Sequence, residues 1–341
     1  SQIMNAVMGL LAANGRASGA VRFQGQEILG LPDRALNRIR GAAIGMIFQE
    51  PMSSLDPLYT IGQQMVLPIR RHSGLSAAAA RDRARELLAI VRMPAPDERL
   101  GAYPHQLSGG QRQRVMIAMA IAHTPKLLIA DEPTTALDVT VQAQILDLID
   151  DLKHRFGMAI ALISHDLNLV RRHADRVAVM RAGAIEEQGA TRAVFACPQT
   201  GYTRALLAAE PQGTKAPVPL QAPLLLEAEA IDVGFARPRR LFRAAPAPFH
   251  AVRDISLGLR RGETLGIVGE SGSGKSTLGR ALLRLVPATG HVRFEGRDLV
   301  ALPEPERAAL RGAGIAMVFQ EPMTSLNPVQ RIGDQVAEPL L

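Results

Sequence analysis

The sequence predicts an α/β fold in which a mostly parallel sheet is covered by helices on both faces. Two continuous apolar runs, at residues 127–130 and 158–163, have the composition of strands that are buried on both faces. Helical patterns alternate with these runs, and the segment at 77–91 has a clear amphipathic period. Such alternation is typical of parallel strands joined by helical crossovers.

Local signals predict the other elements. Apolar periodicity indicates the extent of each helix, proline indicates where a helix ends, and glycine indicates turns. In chain order the predicted elements are a helix at 3–13, short strands and turns at 20–48 that end in a buried strand at 43–48, a helix from Gly110 to about His123, a helix with Val141, Ile145, Leu148, Ile149 and Leu152 on one face, and a hairpin at 176–189 around Gly183.

A long internal repeat divides the chain. Residues 21–25, Val-Arg-Phe-Gln-Gly, return as Val-Arg-Phe-Glu-Gly at 292–296, and residues 47–57 return at 318–328, with an offset of 271 residues throughout. A period of this length indicates a duplicated domain rather than a solenoid of short repeats. The sequence therefore predicts two tandem copies of the fold.

A Pro-rich and almost uncharged stretch at 216–223 is predicted to link the two copies. We therefore expect a first domain at 1–190. An extension that includes the linker follows at 191–226, and the N-terminal part of a second domain lies at 227–341.

The second copy contains the pattern of a phosphate-binding loop, Gly-Glu-Ser-Gly-Ser-Gly-Lys-Ser-Thr, at 269–277. A strand-like run at 264–268 precedes it and a helical pattern follows it. Glycines let backbone N–H groups surround phosphate oxygens at a helix N-terminus, while the lysine contacts the β- and γ-phosphates and the next hydroxyl holds Mg²⁺. The residues predicted to bind the nucleotide are Gly269, Ser271, Gly272, Ser273, Gly274, Lys275, Ser276 and Thr277, with Ser276 also a Mg²⁺ ligand.

Two further patterns lie in the first copy. The segment Leu-Ser-Gly-Gly-Gln at 107–111 precedes a helix and combines a hydroxyl, bare glycine backbone and a helix N-terminus, which suits an anion. The strand at 127–130 runs into Asp131 and Glu132. A carboxylate at a strand end can hold Mg²⁺ through water, and its neighbour can orient an attacking water. The predicted anion-binding residues are Ser108, Gly109, Gly110 and Gln111.

In chain order, Gln49, the segment at 107–111, Asp131 with Glu132, the segment at 136–138 and His165 form an ordered set. Together with the loop at 269–277, this set resembles the motifs of ATP-binding cassette (ABC) ATPases, and the resemblance covers nearly the whole chain. The resemblance implies a P-loop NTPase fold whose copies each have a mostly parallel core sheet and a helical subdomain. It implies ATP and Mg²⁺ as cofactors. It also implies that Glu132 is the catalytic glutamate, that His165 contacts the γ-phosphate, and that Gln49 senses it. The implied catalytic residues are Glu132, His165, Gln49 and Gln320, and the implied metal ligands are Ser276, Asp131 and Gln320.

Two more residues take roles from the same resemblance. Asp138 in Ala-Leu-Asp is similar to the aspartate that follows the catalytic glutamate at the nucleotide interface. Phe235 is similar to the aromatic residue that stacks on adenine, and Phe249 is the alternative for that role.

Subfamily features are similar to those of the dipeptide/oligopeptide importer ATPases, the peptide, glutathione or peptide-antibiotic type. Both copies contain Phe-Gln-Glu-Pro-Met, at 48–52 and 319–323, and the segments at 103–106 and 201–207 also match. One departure is Pro-Gln-Thr-Gly-Tyr at 198–202, where His-Pro-Tyr is usual.

The resemblance implies how such a protein works with others. It implies integral-membrane permease subunits as partners, an extracytoplasmic solute-binding protein that acts indirectly, and no nucleic acid. The two cassettes are expected to pair head to tail within one chain, so that the phosphate loop of one copy faces the segment at 107–111 of the other. The expected location is the cytoplasmic face of the bacterial inner (plasma) membrane, as a peripheral protein.

The repeat also predicts where each copy is incomplete. When four additional residues are allowed in the loop at 10–19, Ser1 aligns with Ser276. We therefore expect the chain to begin inside the first phosphate loop, to stop shortly after Gln320, and to be a piece of a longer protein. Residues 1–341 alone are expected to hydrolyse ATP poorly, because neither copy then holds a full set of catalytic groups.

The amino-acid composition limits which other classes of function and binding site the chain can have. The net charge is +7, but the arginines are spread along the chain without a basic block or interleaved aromatics, which disfavours a nucleic-acid site. The single cysteine, Cys197, excludes an intrachain disulfide and a Cys-rich metal site. No apolar run approaches the roughly 20 residues that span a bilayer. The alternatives are a tandem ABC ATPase acting on ribosomes or DNA, which usually has a long charged linker, and a lone P-loop kinase or GTPase, which does not explain residues 107–111.

Overall fold

The structure, a computed structural model, forms two compact units, Ser1–Gln212 and Gly213–Leu341. Ser271 and Gln320, both assigned roles from the sequence, lie outside the described residues. No helix in the described ranges is long and apolar enough to cross a membrane. The residues that the structure describes are 1–49, 54–135, 137–209, 213–219, 221–236, 248–270, 272–319 and 325–338.

Unit 1 combines a small parallel sheet with two short hairpins and a helical region. Its strands are β1 (Arg22–Phe23), β2 (Gln26–Glu27), β3 (Ile44–Ile47), β4 (Leu127–Asp131), β5 (Ala159–Ile163), β6 (Arg176–Arg181) and β7 (Ala184–Ala190). Its helices are α1 (Gln2–Val7), α2 (Asp33–Ile39), α3 (Ile61–Ser73), α4 (Ala77–Ile90), α5 (Pro96–Gly101), α6 (Gly109–Ala120), α7 (Val139–Phe156), α8 (Leu167–His173), α9 (Thr191–Ala196) and α10 (Gly201–Ala208).

The sheet of unit 1 has the order β3-β4-β5, and all three strands are parallel. Ile44 pairs with Leu127, and Leu127 with Ala159, so the carboxyl ends of the strands lie at the same edge. The predicted strand at 127–130 is confirmed as the buried centre of the sheet. The predicted strand at 158–163 is also confirmed, but it is only partly buried, because among the described strands only β4 pairs with it.

The helical region packs around one core. α3 begins with a capping box between Thr60 and Gln63 and ends at Gly74, whose φ is +69°, as expected for a left-handed C-cap. The predicted amphipathic helix at 77–91 is confirmed as α4. Side chains from α3, α4 and α6 form the core that joins this region to the sheet, and they include Met65, Ile69, Leu87, Leu88, Val115 and Ile117.

Two predictions at the start of unit 1 are wrong in detail. The helix predicted at 3–13 ends at Val7, because Gly9 has a φ of +62° and the chain turns there. The segment at 20–48 contains a helix, α2, where only strands and turns were expected. This helix buries a single residue, Leu36, and so short a helix with one buried position has no periodic apolar pattern.

The hairpin predicted at 176–189 is confirmed as β6 and β7, with Gly183 in the turn. Two short helices, α9 and α10, follow it. Glu187 on β7 accepts hydrogen bonds from the backbone N–H of Gln199 at 2.9 Å and of Thr200 at 3.2 Å. This side chain therefore holds the start of α10 against the hairpin.

Unit 2 contains an antiparallel sheet of order β11-β10-β8-β9. Its elements are β8 (Leu224–Phe235), β9 (Phe249–Arg260), α11 (Lys275–Leu282), β10 (Thr289–Phe294), β11 (Arg297–Asp298), α12 (Glu304–Ala313) and α13 (Ile332–Ala337). The mostly parallel sheet predicted for this copy is wrong for the described strands, which all pair antiparallel. The run at 264–268 is not a strand either, and Val268 is 92% exposed, because no described strand lies beside it.

The internal repeat is visible in the local structure of both units. The hairpin of β1 and β2 pairs Arg22 with Glu27, and the hairpin of β10 and β11 pairs Arg293 with Asp298, which is the same register 271 residues later. The equivalent turn residues Gln24 and Glu295 have left-handed φ values of +50° and +48°. The repeated sequences therefore adopt the same turn.

A second repeated feature is a loop that is closed by a glutamine side chain. In unit 1, Gln64 Oε1 accepts from the Asp56 N–H at 2.9 Å, and Gln64 Nε2 donates to the carbonyls of Asp56 and Tyr59, each at 2.9 Å. In unit 2, Gln335 makes the equivalent bonds to the N–H and carbonyl of Asn327, at 2.9 and 3.0 Å. We call these two contacts the amide braces.

Candidate functional site

The carboxyl edge of the parallel sheet in unit 1 brings polar side chains together. Asp131 is the last residue of β4 and is 4% exposed. The hydroxyl of Ser1 donates to Asp131 Oδ1 at 2.9 Å. Ser1 is the residue that the repeat aligns with Ser276, so a serine hydroxyl and a strand-end aspartate meet at this edge.

Glu132 follows directly and is the centre of the cluster. Its Oε2 accepts from Gln49 Nε2 at 3.0 Å and from the Thr135 hydroxyl at 2.8 Å. Its Oε1 lies 3.4 Å from His165 Nδ1. Gln49 follows β3 and His165 follows β5, so all three neighbouring strands supply one member. The structure thus brings together Gln49, Asp131, Glu132 and His165, which the sequence singled out.

These contacts lower the pKa of Glu132 below its ordinary value. The hydrogen bond from Thr135 is the largest cause, and the contacts with His165 and Gln49 act in the same direction, whereas burial opposes them. Each donor favours the charged form of the carboxyl. Because its pKa is lowered, Glu132 is an ionised carboxylate at neutral pH.

The predicted anion-binding segment forms the N-terminus of α6. Ser108 is the N-cap, and it forms a capping box in which its hydroxyl accepts from the Gln111 N–H at 3.3 Å. A Cβ on Gly110 would lie 2.5 Å from Cγ1 of Val141, so this position has no room for a side chain. Asp138 caps the next helix, α7, by accepting from the Val141 N–H at 2.9 Å. The start of α6 therefore packs beside the start of α7.

In unit 2, the predicted phosphate loop leads into α11. Nζ of Lys275 donates to the carbonyls of Gly269 and Glu270, each at 2.6 Å, and lies 3.2 Å from the Ser273 hydroxyl. The ammonium group is thus held by its own loop. Ser276 and Thr277 occupy the first turn of the helix, where backbone N–H groups have no helical partner.

Gly274 shows why this loop needs glycine. Its φ is +94°, and a Cβ there would collide with the carbonyl oxygen of Ala251 on β9. Gly272 also has a positive φ, +82°, but a Cβ there would meet no atom of the described residues within 4 Å. The loop backbone therefore lies against β9 at Gly274 and faces open space at Gly272.

This difference predicts unequal effects of two alanine substitutions. Gly272→Ala should cost about 1 kcal/mol from backbone strain alone. Gly274→Ala should cost about 1–3 kcal/mol more, because a rigid backbone carbonyl blocks the new Cβ. Urea denaturation of the two variants provides the comparison, with Gly272→Ala as the matched control. An equal loss in both would show that the contact with β9 does not constrain the loop.

Phe235 is the last residue of β8 and pairs with Phe249 at the start of β9. Both rings are partly exposed, at 42% and 48%. The two candidates for stacking on adenine therefore occupy the same end of one strand pair, and the choice between them stays a prediction.

The residues present fit the expected cofactors. A glycine-lined loop at a helix N-terminus, in which a Cβ at Gly274 would be excluded, is a cradle for phosphate. The oxygen atoms of Ser1 and Asp131 are hard donors of the kind that Mg²⁺ binds while it keeps several waters.

Thr135 is the member of the cluster that the sequence did not single out. It lies in a Pro-Thr-Thr turn that has no periodic pattern. The available signal was its position three residues after a predicted catalytic carboxylate. A tight turn brings two side chains at that spacing close together.

A glycine-rich loop that leads into a helix, as in unit 2, and a polar cluster at the carboxyl edge of a parallel sheet, as in unit 1, are each typical of α/β proteins of the P-loop NTPase class. The family model described as ABC transporter matches residues 1–135 and 252–338. The chain belongs to the ABC transporter family.

Individual relatives are similar over most of this chain. It is 49% identical over 338 residues to the peptidoglycan transport ATP-binding protein YejF of Agrobacterium fabrum, a match that covers 98% of this chain and 62% of that protein. It is 46% identical over 332 residues to the glutathione import ATP-binding protein GsiA of Escherichia coli strain K12, which covers 89% of this chain and 53% of that protein. The chain thus spans less than two thirds of the length of these curated relatives.

A solved structure supports the fold. The chain is similar to the dimeric, post-hydrolysis state of the ATP-binding cassette MJ0796 bound to ADP and Pi, with a TM-score of 0.50 and 30% sequence identity. The match covers 56% of this chain and 80% of that chain. The predicted cassette fold is therefore confirmed at the level of one cassette, and the second copy stays a prediction.

Proposed function

We propose that the complete protein binds and hydrolyses ATP, and so energises an importer for peptides or related small solutes. The observation that carries this proposal is the cluster of Gln49, Glu132 and His165 beside Asp131 at the carboxyl edge of a parallel sheet. Each of these side chains comes from the end of a neighbouring strand. This arrangement supports an edge that holds a triphosphate and one attacking water.

The residues of unit 1 have distinct tasks in this proposal. Glu132 orients the attacking water and accepts its proton at a carboxylate oxygen. His165 and Gln49 contact the γ-phosphate beside it, and Asp131 with Ser1 would hold Mg²⁺. The metal ion, when bound, neutralises charge on the phosphate oxygens.

The residues of unit 2 bind phosphate. Backbone N–H groups of the loop and of the first turn of α11 donate to phosphate oxygens. Lys275 exchanges its contacts with the carbonyls of Gly269 and Glu270 for contacts with the β- and γ-phosphates. Ser276 would be the corresponding Mg²⁺ ligand, and Phe235 or Phe249 stacks on the adenine.

We propose a tandem pair of cassettes that close head to tail on ATP. The 271-residue repeat supports this arrangement, as do the identical hairpin registers and the two amide braces. In such a pair, Ser108 of the first copy faces the phosphate loop of the second, and Asp138 lines the same interface. ATP promotes closure because its negative charge attracts both helix N-termini.

The proposed substrate class and partners rest on two kinds of support. The segments at 48–52 and 201–207 resemble the oligopeptide importer type, and the two relatives named above are a peptidoglycan transport protein and a glutathione import protein. The proposed partners are integral-membrane permease subunits, with a solute-binding protein acting indirectly. The proposed location is the cytoplasmic face of the bacterial inner membrane.

Nucleotide binding by the phosphate loop tests the proposal. Lys275→Ala should weaken Mg-ATP binding by about 10- to 100-fold, because a charge-assisted hydrogen bond contributes about 1.5–3 kcal/mol. Isothermal titration calorimetry on the complete protein measures the change. Lys126→Ala is the matched control, since Lys126 is exposed in unit 1. Equal affinities of both variants would contradict the assignment of the loop.

A further inference from the structure

The two oxygens of the Glu132 carboxylate have different surroundings. Oε2 has two hydrogen-bond donors, the Thr135 hydroxyl at 2.8 Å and Gln49 Nε2 at 3.0 Å. Oε1 has one neighbouring donor group among the described residues, His165, at 3.4 Å. A carboxylate that is held through one oxygen cannot exchange its two oxygens by rotation without breaking those bonds. The group is therefore oriented as well as charged.

The backbone around Glu132 explains why Thr135 reaches it. Glu132 has a φ of +47°, in the left-handed region that non-glycine residues rarely adopt. Two backbone hydrogen bonds maintain this conformation, from the Glu132 N–H to the Ile163 carbonyl at 3.0 Å and from the Thr135 N–H to the Glu132 carbonyl at 3.2 Å. The resulting turn brings the threonine side chain back onto the glutamate carboxylate.

We propose that Thr135 is a positioning residue, which fixes Oε2 of Glu132 so that Oε1 is presented to the attacking water. This inference rests on the proposed function, in which Glu132 is the group that orients water. Thr135 acts through Glu132 and is not assigned a contact with the nucleotide. Correct orientation of a reacting group contributes a large part of an enzyme's rate enhancement. A small displacement of that group therefore lowers the rate strongly.

Thr135 differs from Gln49 in how it holds the same oxygen. Gln49 comes from a separate strand and is exposed, so its contact depends on the position of the segment after β3. Thr135 belongs to the same turn as Glu132 and is partly buried. Its hydrogen bond therefore holds the carboxylate irrespective of whether Gln49 stays in place or moves to a γ-phosphate.

Three variants of the complete protein test the inference. Thr135→Val keeps the shape of the side chain but lacks the hydroxyl, and at the site that contains Glu132 it should reduce the single-turnover rate of ATP hydrolysis about tenfold, the equivalent of one hydrogen bond to a charged group. The dissociation constant of Mg-ATP should not change. Thr135→Ser keeps the hydroxyl and should retain the rate within about twofold of the wild type. Thr214→Val makes the same change at an exposed threonine and serves as control.

A crystal structure of the nucleotide-free Thr135→Val variant provides a second measurement. The Glu132 carboxylate should be rotated or disordered in that variant and unchanged in Thr135→Ser. An unmoved carboxylate together with a wild-type rate in Thr135→Val would overturn the inference. Equal losses of rate in Thr135→Val and Thr135→Ser would also overturn it, because the hydroxyl would then not be the cause.

The double variant Thr135→Val/Glu132→Gln separates this inference from the proposed function. If Thr135 acts through Glu132, the valine should cause no further loss of rate when Glu132 is already glutamine. A further tenfold loss in the double variant would overturn the inference. If Glu132→Gln alone keeps the wild-type rate at the site that contains residue 132, the proposed function of Glu132 fails. If Glu132→Gln loses the rate and Thr135→Val does not, only the role of Thr135 fails.

Discussion

Glu132→Gln in the complete protein should retain ATP binding and lose about 10²- to 10⁴-fold of the hydrolysis rate at the site that contains Glu132. Glutamine keeps the size of the side chain and can still contact Thr135 and Gln49. It cannot accept a proton from water, so the bound nucleotide stays intact. A closed form with trapped ATP should accumulate, and rapid-quench single-turnover experiments on pre-bound ATP measure the fraction hydrolysed.

Glu186→Gln is the matched control for this experiment. Glu186 is exposed on β7 and the substitution removes the same charge from the same unit. This variant should hydrolyse bound ATP at the wild-type rate. If Glu132→Gln also did so, another group must position the water and the cluster at the sheet edge would need a different explanation.

Cysteines placed at positions 108 and 273 should cross-link within one polypeptide only when ATP is bound. In the proposed head-to-tail pair, Ser108 and Ser273 flank the same nucleotide, although they belong to different copies. Both residues are exposed in the structure. A short bifunctional thiol reagent should therefore give a fast-migrating internal product with ATP and almost none without it. The Glu132→Gln background prolongs the closed state and should raise the yield further.

The cross-linking experiment requires that Cys197, which is exposed, is first replaced by serine, together with any other native cysteine. A mixture of two single-cysteine proteins, one with Ser108→Cys and one with Ser273→Cys, detects pairing between separate chains. Cross-linking in that mixture, or cross-linking that does not depend on ATP, would contradict an intramolecular pair. Each cassette would then close against another molecule.

The sequence predicted the sheet edge of unit 1 because its signals are local. The run at 127–130 is continuously apolar and changes abruptly to Asp131 and Glu132, so both the buried strand and its polar end could be inferred. His165 could be placed for the same reason, after the next strand. Their mutual contacts then follow from the parallel order of the strands.

Other features depend on contacts that the sequence does not specify. The left-handed φ of Glu132 is maintained by a hydrogen bond to Ile163, a residue on another strand. The apolar run at 264–268 has strand composition, but a strand also needs a neighbour, and none of the described strands pairs with it. The helix α2 was missed because Leu36 is its only buried residue.

Deamidation of the two glutamines in the amide braces would remove the bonds that close both loops. Glutamine is among the residues that are chemically labile on heating. Conversion of Gln64 to glutamate would replace its Nε2 donor with an oxygen that faces the carbonyls of Asp56 and Tyr59, both of which are acceptors. The same change at Gln335 would set an oxygen against the carbonyls of Asn327 and Gln330. Chemical ageing during storage should therefore loosen the same loop in both units, with a mass change too small to notice without mass spectrometry.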